Sequence, residues 1–232
     1  MFQMLKSIKT ISPVILLLVA TTFFTFSCNQ KQETEKKVTS TADKKPEKQK
    51  KKNILFYGNS LTAGYGLDED ESFPSLIQNK IDSLNLNYRV INGGLSGETT
   101  ASGLSRLDWF LEDRPEVFIL ELGGNDGLRG IPLAETRKNL NAIISSVSSR
   151  FPATKILLAG MQIPPNMGQE YAEEFRKMYA EIATKQEVEM IPFLLEGVAG
   201  NPDLNLPDGI HPTSEGQKIV AQTVWKHLRP LL

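Results

Sequence analysis

Four short blocks of this sequence hold residue types that can act together on an acyl group: Gly58-Asn59-Ser60-Leu61, Ser96-Gly97-Glu98-Thr99, Gly123-Gly124-Asn125-Asp126 and Asp208-Gly209-Ile210-His211. A serine hydroxyl is a poor nucleophile until a neighbouring imidazole takes its proton, and the imidazole needs an acceptor that holds it in one tautomer. Ser60, His211 and Asp208 can fill those roles. Attack on an acyl carbonyl also builds an oxyanion, which fixed donors stabilise. The backbone N–H of Ser60, the N–H of Gly97 and the side-chain amide of Asn125 are candidates. Singly, each block has a bland reading. A serine in a glycine turn is usually a turn residue or a cap, Asn125-Asp126-Gly127 is a turn signal, and an Asp three residues before a His is a common helix cap. A nucleotide loop is excluded, since neither Gly-x-Gly-x-x-Gly nor Gly-x-x-x-x-Gly-Lys-Ser/Thr occurs.

Weight comes from where the blocks fall. Strand-like runs cover Ile54 to Tyr57, Tyr88 to Ile91, Val117 to Leu120, Ile156 to Ala159 and Val188 to Ile191. Three are continuously apolar and two carry one charge each, Arg89 and Glu189, the pattern of strands covered on both faces. Between them lie helical periods: Phe73 to Leu84, Leu104 to Leu111, Leu133 to Val147, Tyr171 to Thr184 and Ile219 to Leu228. This alternation implies an α/β fold, a three-layer α/β/α sandwich around a central, mostly parallel five-stranded sheet. Sites in such sheets lie beyond the carboxyl ends of the strands. The first three blocks follow the first three strands, and the last precedes the final helix.

The four blocks resemble those of the SGNH (GDSL-type) hydrolases, over residues 53 to 232. The run Glu121 to Gly130, ELGGNDGLRG, together with Ser96 to Thr99, is similar to the exported acyl-thioesterase, lysophospholipase and arylesterase branch. The resemblance implies a flavodoxin-like sheet and hydrolysis of a small-molecule acyl ester or thioester, with Ser60, Asp208 and His211 catalytic, with Ser60, Gly97 and Asn125 as oxyanion hole, and with no metal or other cofactor. Asn59 stands where that family has Asp, which removes a negative charge beside Ser60 and implies altered local hydrogen bonding. Removal of acetyl groups from polysaccharide is a second enzymatic reading. A non-catalytic ligand-binding lipoprotein on the same scaffold is a third, disfavoured because a binding scaffold has no need of the full set of five residues.

The N-terminus reads as an export signal. Lys6 and Lys9 precede an apolar stretch from Ile11 to Phe26, short of the roughly 20 residues that span a bilayer. Cys28, the only cysteine among 232 residues, follows this stretch after one small residue, Ser27. The arrangement resembles a bacterial lipoprotein signal, with residues 1–27 removed and Cys28 lipidated on the outer side of a membrane. Residues 28–52 then form a charged linker, in which Asn29 to Lys52 span roughly 27 Å r.m.s. as a coil. From Asn53 on, 15 basic residues face 23 acidic ones, a balance that argues against a nucleic-acid partner. Two histidines and one cysteine cannot build a Cys/His metal centre. His227 reads as a surface or packing residue, and Trp109 and Trp225 as core or helix-packing residues. Met161 to Gly168 reads as a connecting loop or a wall of the acyl pocket. Oligomeric state has no signature.

Overall fold

The computed structural model describes residues 50–164 and 168–232. The expected signal peptide, Cys28 and the linker up to residue 49 lie outside the described residues, as do Pro165, Asn166 and Met167 of the expected pocket loop.

Five strands, β1 (Lys52–Gly58), β2 (Tyr88–Asn92), β3 (Val117–Glu121), β4 (Lys155–Ala159) and β5 (Glu189–Ile191), form one sheet in the order β2-β1-β3-β4-β5. All four pairings are parallel. The central strands are apolar because helices cover them on both sides: Ile54 to Tyr57 and Val117 to Leu120 are fully buried. β2 is an edge, and there Arg89 is exposed while Val90 and Ile91 are half-buried.

Strand ends differ from the periodicity by a residue or two, for local reasons. β1 starts at Lys52 because its N–H donates to Asn87 O (3.0 Å) and extends the ladder with β2. Val188 is lost from β5 because its N–H is spent on Ala183 O (3.0 Å), closing the preceding helix over the left-handed Glu187 (φ 54°).

The helices are α1 (Ser60–Ala63), α2 (Phe73–Ser83), α3 (Thr100–Arg106), α4 (Gly124–Leu128), α5 (Leu133–Arg150), α6 (Gln169–Gln186) and α7 (Ser214–Leu228). α3, α5 and α6 pack side by side, and α2 packs on α7. Each buries the face its spacing predicts, as with Leu140, Ile143, Ile144 and Val147 in α5. Trp225 is buried under the ammonium of Lys80, 5.3 Å from its ring. Trp109 is not core: it is 77% exposed. The helix expected through Leu111 stops at Arg106 and tightens into a 3-10 turn, Leu107–Phe110; Leu107 and Leu111 stay inside, and Trp109, two positions from each, falls on the opposite side. Periodicity does not reveal α1 and α4, which at one turn each are too short to carry a period. They are the two elements that follow β1 and β3.

In the order 2-1-3-4-5 the chain winds in opposite directions from β1 and from β3, and the crevice opens at their carboxyl ends. α1 and α4 begin there.

Candidate active site

Ser60 opens α1, so its N–H has no partner within the helix. The turn from β1 is tight because Gly58 meets Thr62 and Glu121 so closely that a Cβ would lie 2.2 Å from Thr62 Oγ1. Asn59 caps the helix: its Oδ1 accepts from Leu61 N (2.9 Å). Its Nδ2 donates to Glu121 Oε1 (2.7 Å), while Asn59 N and Thr62 Oγ1 donate to Glu121 Oε2 (3.0 and 2.8 Å). The residue that departs from the family pattern is thus a donor to a buried acid. Burial raises the Glu121 carboxyl, and the donors from Thr62 and Asn59 only partly offset this, leaving it at about 7.

The last block is built by the chain folding back on itself. Asn205 bridges Pro212, and Leu206 N donates to His211 O (2.7 Å), which sets residues 206–211 as a small closed loop ahead of α7. Asp208 Oδ1 accepts from Ile210 N and His211 N (2.9 and 3.0 Å), and its Oδ2 lies 2.7 Å from His211 Nδ1. Burial alone would raise this carboxyl, but the His211 N–H, the His211 ring and the Ile210 N–H outweigh it and lower it to about 2. A carboxylate only accepts, so Nδ1 carries the imidazole proton and Nε2 is left as the base. His211 Nε2 lies 2.8 Å from Ser60 Oγ. Gln217 of α7 fixes that distance from behind: its Oε1 accepts from Phe73 N (3.0 Å) and its Nε2 reaches Leu61 O (3.5 Å). Tyr65 covers the imidazole with ring centroids 4.5 Å apart.

The structure therefore brings Ser60, His211 and Asp208 into one line. Ser60 is only 7% exposed, with His211 and the turn itself closing over it.

The loops after β2 and β3 come up to the Ser60 turn: Leu95 N donates to Gly58 O (2.9 Å), and a Cβ on Gly124 would lie 3.7 Å from Asn59 Nδ2. Leu95 to Glu98 form a turn closed by Glu98 N donating to Leu95 O (3.1 Å), with Gly97 at φ 80°, a conformation that glycine adopts without strain. Asn125 lies in α4 and its Nδ2 donates to Glu98 O (3.0 Å), so the second and third blocks touch. One Asn125 N–H is used in this way and the other remains for a ligand. Asp126, next to it, is buried and accepts from Thr100 N and Thr100 Oγ1 (2.9 and 2.5 Å) and from Thr136 Oγ1 (3.3 Å). It braces the Asn125 turn and does not reach His211.

Met161 is buried, its Cε 3.5 Å from where a Cβ on Gly124 would sit, and Ile163 packs against Gly127. The described part of that loop therefore lies against α4. His227 is half-buried in the last turn of α7 and shares no hydrogen bond with the site. Sequence reasoning missed Glu121, Arg106 and the acidic role of Glu98. The signal for Glu121 was available, as a lone acid ending an otherwise apolar strand.

Residues 56–219 match the GDSL-like Lipase/Acylhydrolase family. The chain is 39% identical over 180 residues to esterase TesA of Pseudomonas aeruginosa, covering 77% of this chain and 89% of that one. It is 35% identical over 180 residues to thioesterase 1/protease 1/lysophospholipase L1 of Escherichia coli strain K12, covering 77% and 84%. Among solved structures, the psychrotrophic esterase EstA from Pseudoalteromonas sp., inhibited by monoethylphosphonate, matches with a TM-score of 0.73 at 32% identity, covering 77% of this chain and 97% of that one.

Proposed function

The chain belongs to the GDSL-like Lipase/Acylhydrolase family and is a serine esterase of its ester- and thioester-hydrolysing kind, and on that premise we propose that Ser60, His211 and Asp208 are its catalytic triad. The observation that carries the assignment is the unbroken line Asp208, His211, Ser60, at 2.7 and 2.8 Å.

In the reaction His211 Nε2 takes the proton of Ser60 as Oγ attacks the acyl carbonyl. The imidazolium that forms is held by Asp208, which stays ionised, and then protonates the departing alcohol or thiol. Water enters along the same path and repeats the sequence on the acyl-enzyme. The Ser60 N–H, the Gly97 N–H and the second N–H of Asn125 receive the oxyanion in both halves. Every step is served by protein groups. Met161 and Ile163 pack against the helix that carries Asn125, which supports the reading of their loop as a wall of the acyl pocket.

The domain is exported and tethered at Cys28 by lipid, with residues 28–52 as its spacer. The supporting observations are the apolar stretch Ile11 to Phe26 placed one small residue ahead of a lone cysteine, and the charged composition that follows. Among the described residues no helix is long and apolar enough to cross a membrane.

A single panel tests the reading: p-nitrophenyl esters of increasing chain length, an acyl thioester and acetylated xylan, with the fluorophosphonate-labelled residue mapped by mass spectrometry. We expect label on Ser60 and turnover of esters and thioesters. Label elsewhere, or turnover of acetylated xylan alone, overturns it.

A further inference from the structure

Beneath the Gly97 turn lies an ion pair that the triad does not use. Glu98 and Arg106 are 3% and 8% exposed, and the Arg106 Nε and Nη2 both donate to the Glu98 carboxylate, one to each oxygen. Arg106 Nη2 also donates to Gly93 O (2.7 Å) and reaches Gly58 O (3.4 Å), the backbone at the ends of β2 and β1. Its Cζ lies 4.4 Å from the centre of the Tyr57 ring and 5.0 Å from that of the Phe110 ring.

Glu98 is tied down at each polar group that it carries. Its side chain is held by Arg106, its N–H closes the turn onto Leu95 O, and its C=O receives Asn125 Nδ2. Gly97, immediately before it, has no side chain to anchor and can take many conformations. Its carbonyl accepts from the exposed side chain of Arg129 (Nη2, 3.1 Å), and its buried hold is the pinned Glu98 that follows it. Taking two charges out of water is costly, and a buried pair is weak ground for stability. An apolar pair of similar volume would fill this space without that cost, but it could not bind the carbonyls of Gly58 and Gly93 and the Glu98 carboxylate at once.

We propose that Glu98 and Arg106 are positioning residues that aim the Gly97 N–H and the Asn125 amide at the acyl oxygen, a role that rests on the oxyanion-hole reading given above. The pair links the ends of β1 and β2 to the turn, so that the Ser60, Gly97 and Asn125 donors move as one body. Glu98 and Arg106 touch no reacting atom.

The test uses Glu98→Gln, which keeps the shape and loses the charge, and Arg106→Lys, which keeps the charge and loses the planar fork. Each is measured per active site titrated with a slow phosphonate, alone and combined with Asn125→Ala. We expect kcat to fall roughly tenfold or more with KM within about threefold, since the loss is confined to the charged intermediate. We also expect each double variant to lose less than the product of the two single losses, because the substitutions act on one group of donors. Unchanged kcat per titrated site, a change in KM alone, full multiplicativity with Asn125→Ala, or failure of both variants to give titratable enzyme each overturns the positioning role. Asn125→Ala measured by itself separates the two levels: if it leaves kcat unchanged, the oxyanion-hole reading itself has failed.

Discussion

Two carboxyls lie near Ser60, one through Asn59 and one through His211, and each accepts three hydrogen bonds: Glu121 from Asn59 N, Asn59 Nδ2 and Thr62 Oγ1, and Asp208 from Ile210 N, His211 N and His211 Nδ1. Their acidities nevertheless part in opposite directions, Glu121 rising to about 7 and Asp208 falling to about 2. The number of donors does not decide this. Glu121 is 1% exposed at the end of β3, whereas the Asp208 side chain is 37% exposed on the closed loop before α7, and loss of water outweighs three donors only in the first case. The sheet end is thus a buried frame around the Ser60 turn, and the loop is an accessible arm that, on the function proposed above, carries the proton transfer.

If that division holds, the largest effect comes from the atom that both regions serve. Ser60→Ala should reduce ester hydrolysis by at least about a thousandfold, leaving the activity that binding and oxyanion donors supply, with the far-UV spectrum unchanged. The measurement is turnover of p-nitrophenyl acetate alongside fluorophosphonate labelling. Asn125→Ala removes one frame donor and should lower kcat by about a hundredfold to a thousandfold with little change in KM. A stability loss with kcat per titrated site intact would instead make Asn125 a turn residue.

The frame has a pH signature of its own. Glu121 binds its proton more tightly folded than unfolded, so its contribution to stability is full below the ordinary carboxyl value, near 4.5, and is lost as pH rises through about 7. The unfolding free energy should fall by about 3 kcal/mol across that window. Glu121→Gln should be less stable than the parent below about pH 4.5, because an amide N–H₂ would face a donor from Asn59 or Thr62, and should lack this slope, so that the gap closes as pH rises through about 7. Urea titrations at a series of pH values, taken as the difference between parent and variant, check it. An identical slope in both would place the proton on another group.

How much of this was legible in the sequence differs between the two regions. The loop was readable, since Asp208 and His211 lie three residues apart and a local turn brings them together. The frame was not. Glu121 meets Asn59 and Thr62 across 62 and 59 positions, and Arg106 meets Gly58 across 48, contacts that exist only once β1, β2 and β3 are side by side. The five strands and the four long helices α2, α5, α6 and α7 were legible because their apolar periods repeat, whereas α3 begins and ends earlier than the spacing of Leu104, Leu107 and Leu111 predicts. α1 and α4, which carry Ser60 and Asn125, were not, since their positions are set by glycine turns and caps. Trp109 misled because its bulk suggests burial, while its place two residues from Leu107 and Leu111 puts it on the face away from the core.

Asp208 and Asp126 sharpen the comparison further. Asp208→Asn should cost at least roughly tenfold in kcat, as the imidazole loses the acceptor that fixes its tautomer, with the thermal midpoint nearly unmoved. Asp126→Asn should do the reverse, with a smaller kinetic loss and a larger stability loss, because Asp126 is buried and holds Thr100 and Thr136 around the Asn125 turn. The opposite ranking in kcat would move the triad acid to Asp126.

The smallest effect is the acid limb of stability that Asp208 itself produces. Its folded value lies below its unfolded one, so its contribution is present above the ordinary carboxyl value, near 3.8, and disappears as pH falls through about 2. This is opposite in sign to Glu121 and separate in window, the one acting from about 4.5 to about 7 and the other below about 4. Solvent reaches Asp208, so screening keeps the effect modest. Acid unfolding of the parent and of Asp208→Asn, followed by tryptophan fluorescence, should therefore give curves that converge below pH 2 and separate slightly above 4. Curves that coincide over the whole range would mean that the donors around Asp208 persist in the unfolded loop, which its short local turn makes possible, and the carboxylate would then shape the imidazole without stabilising the fold.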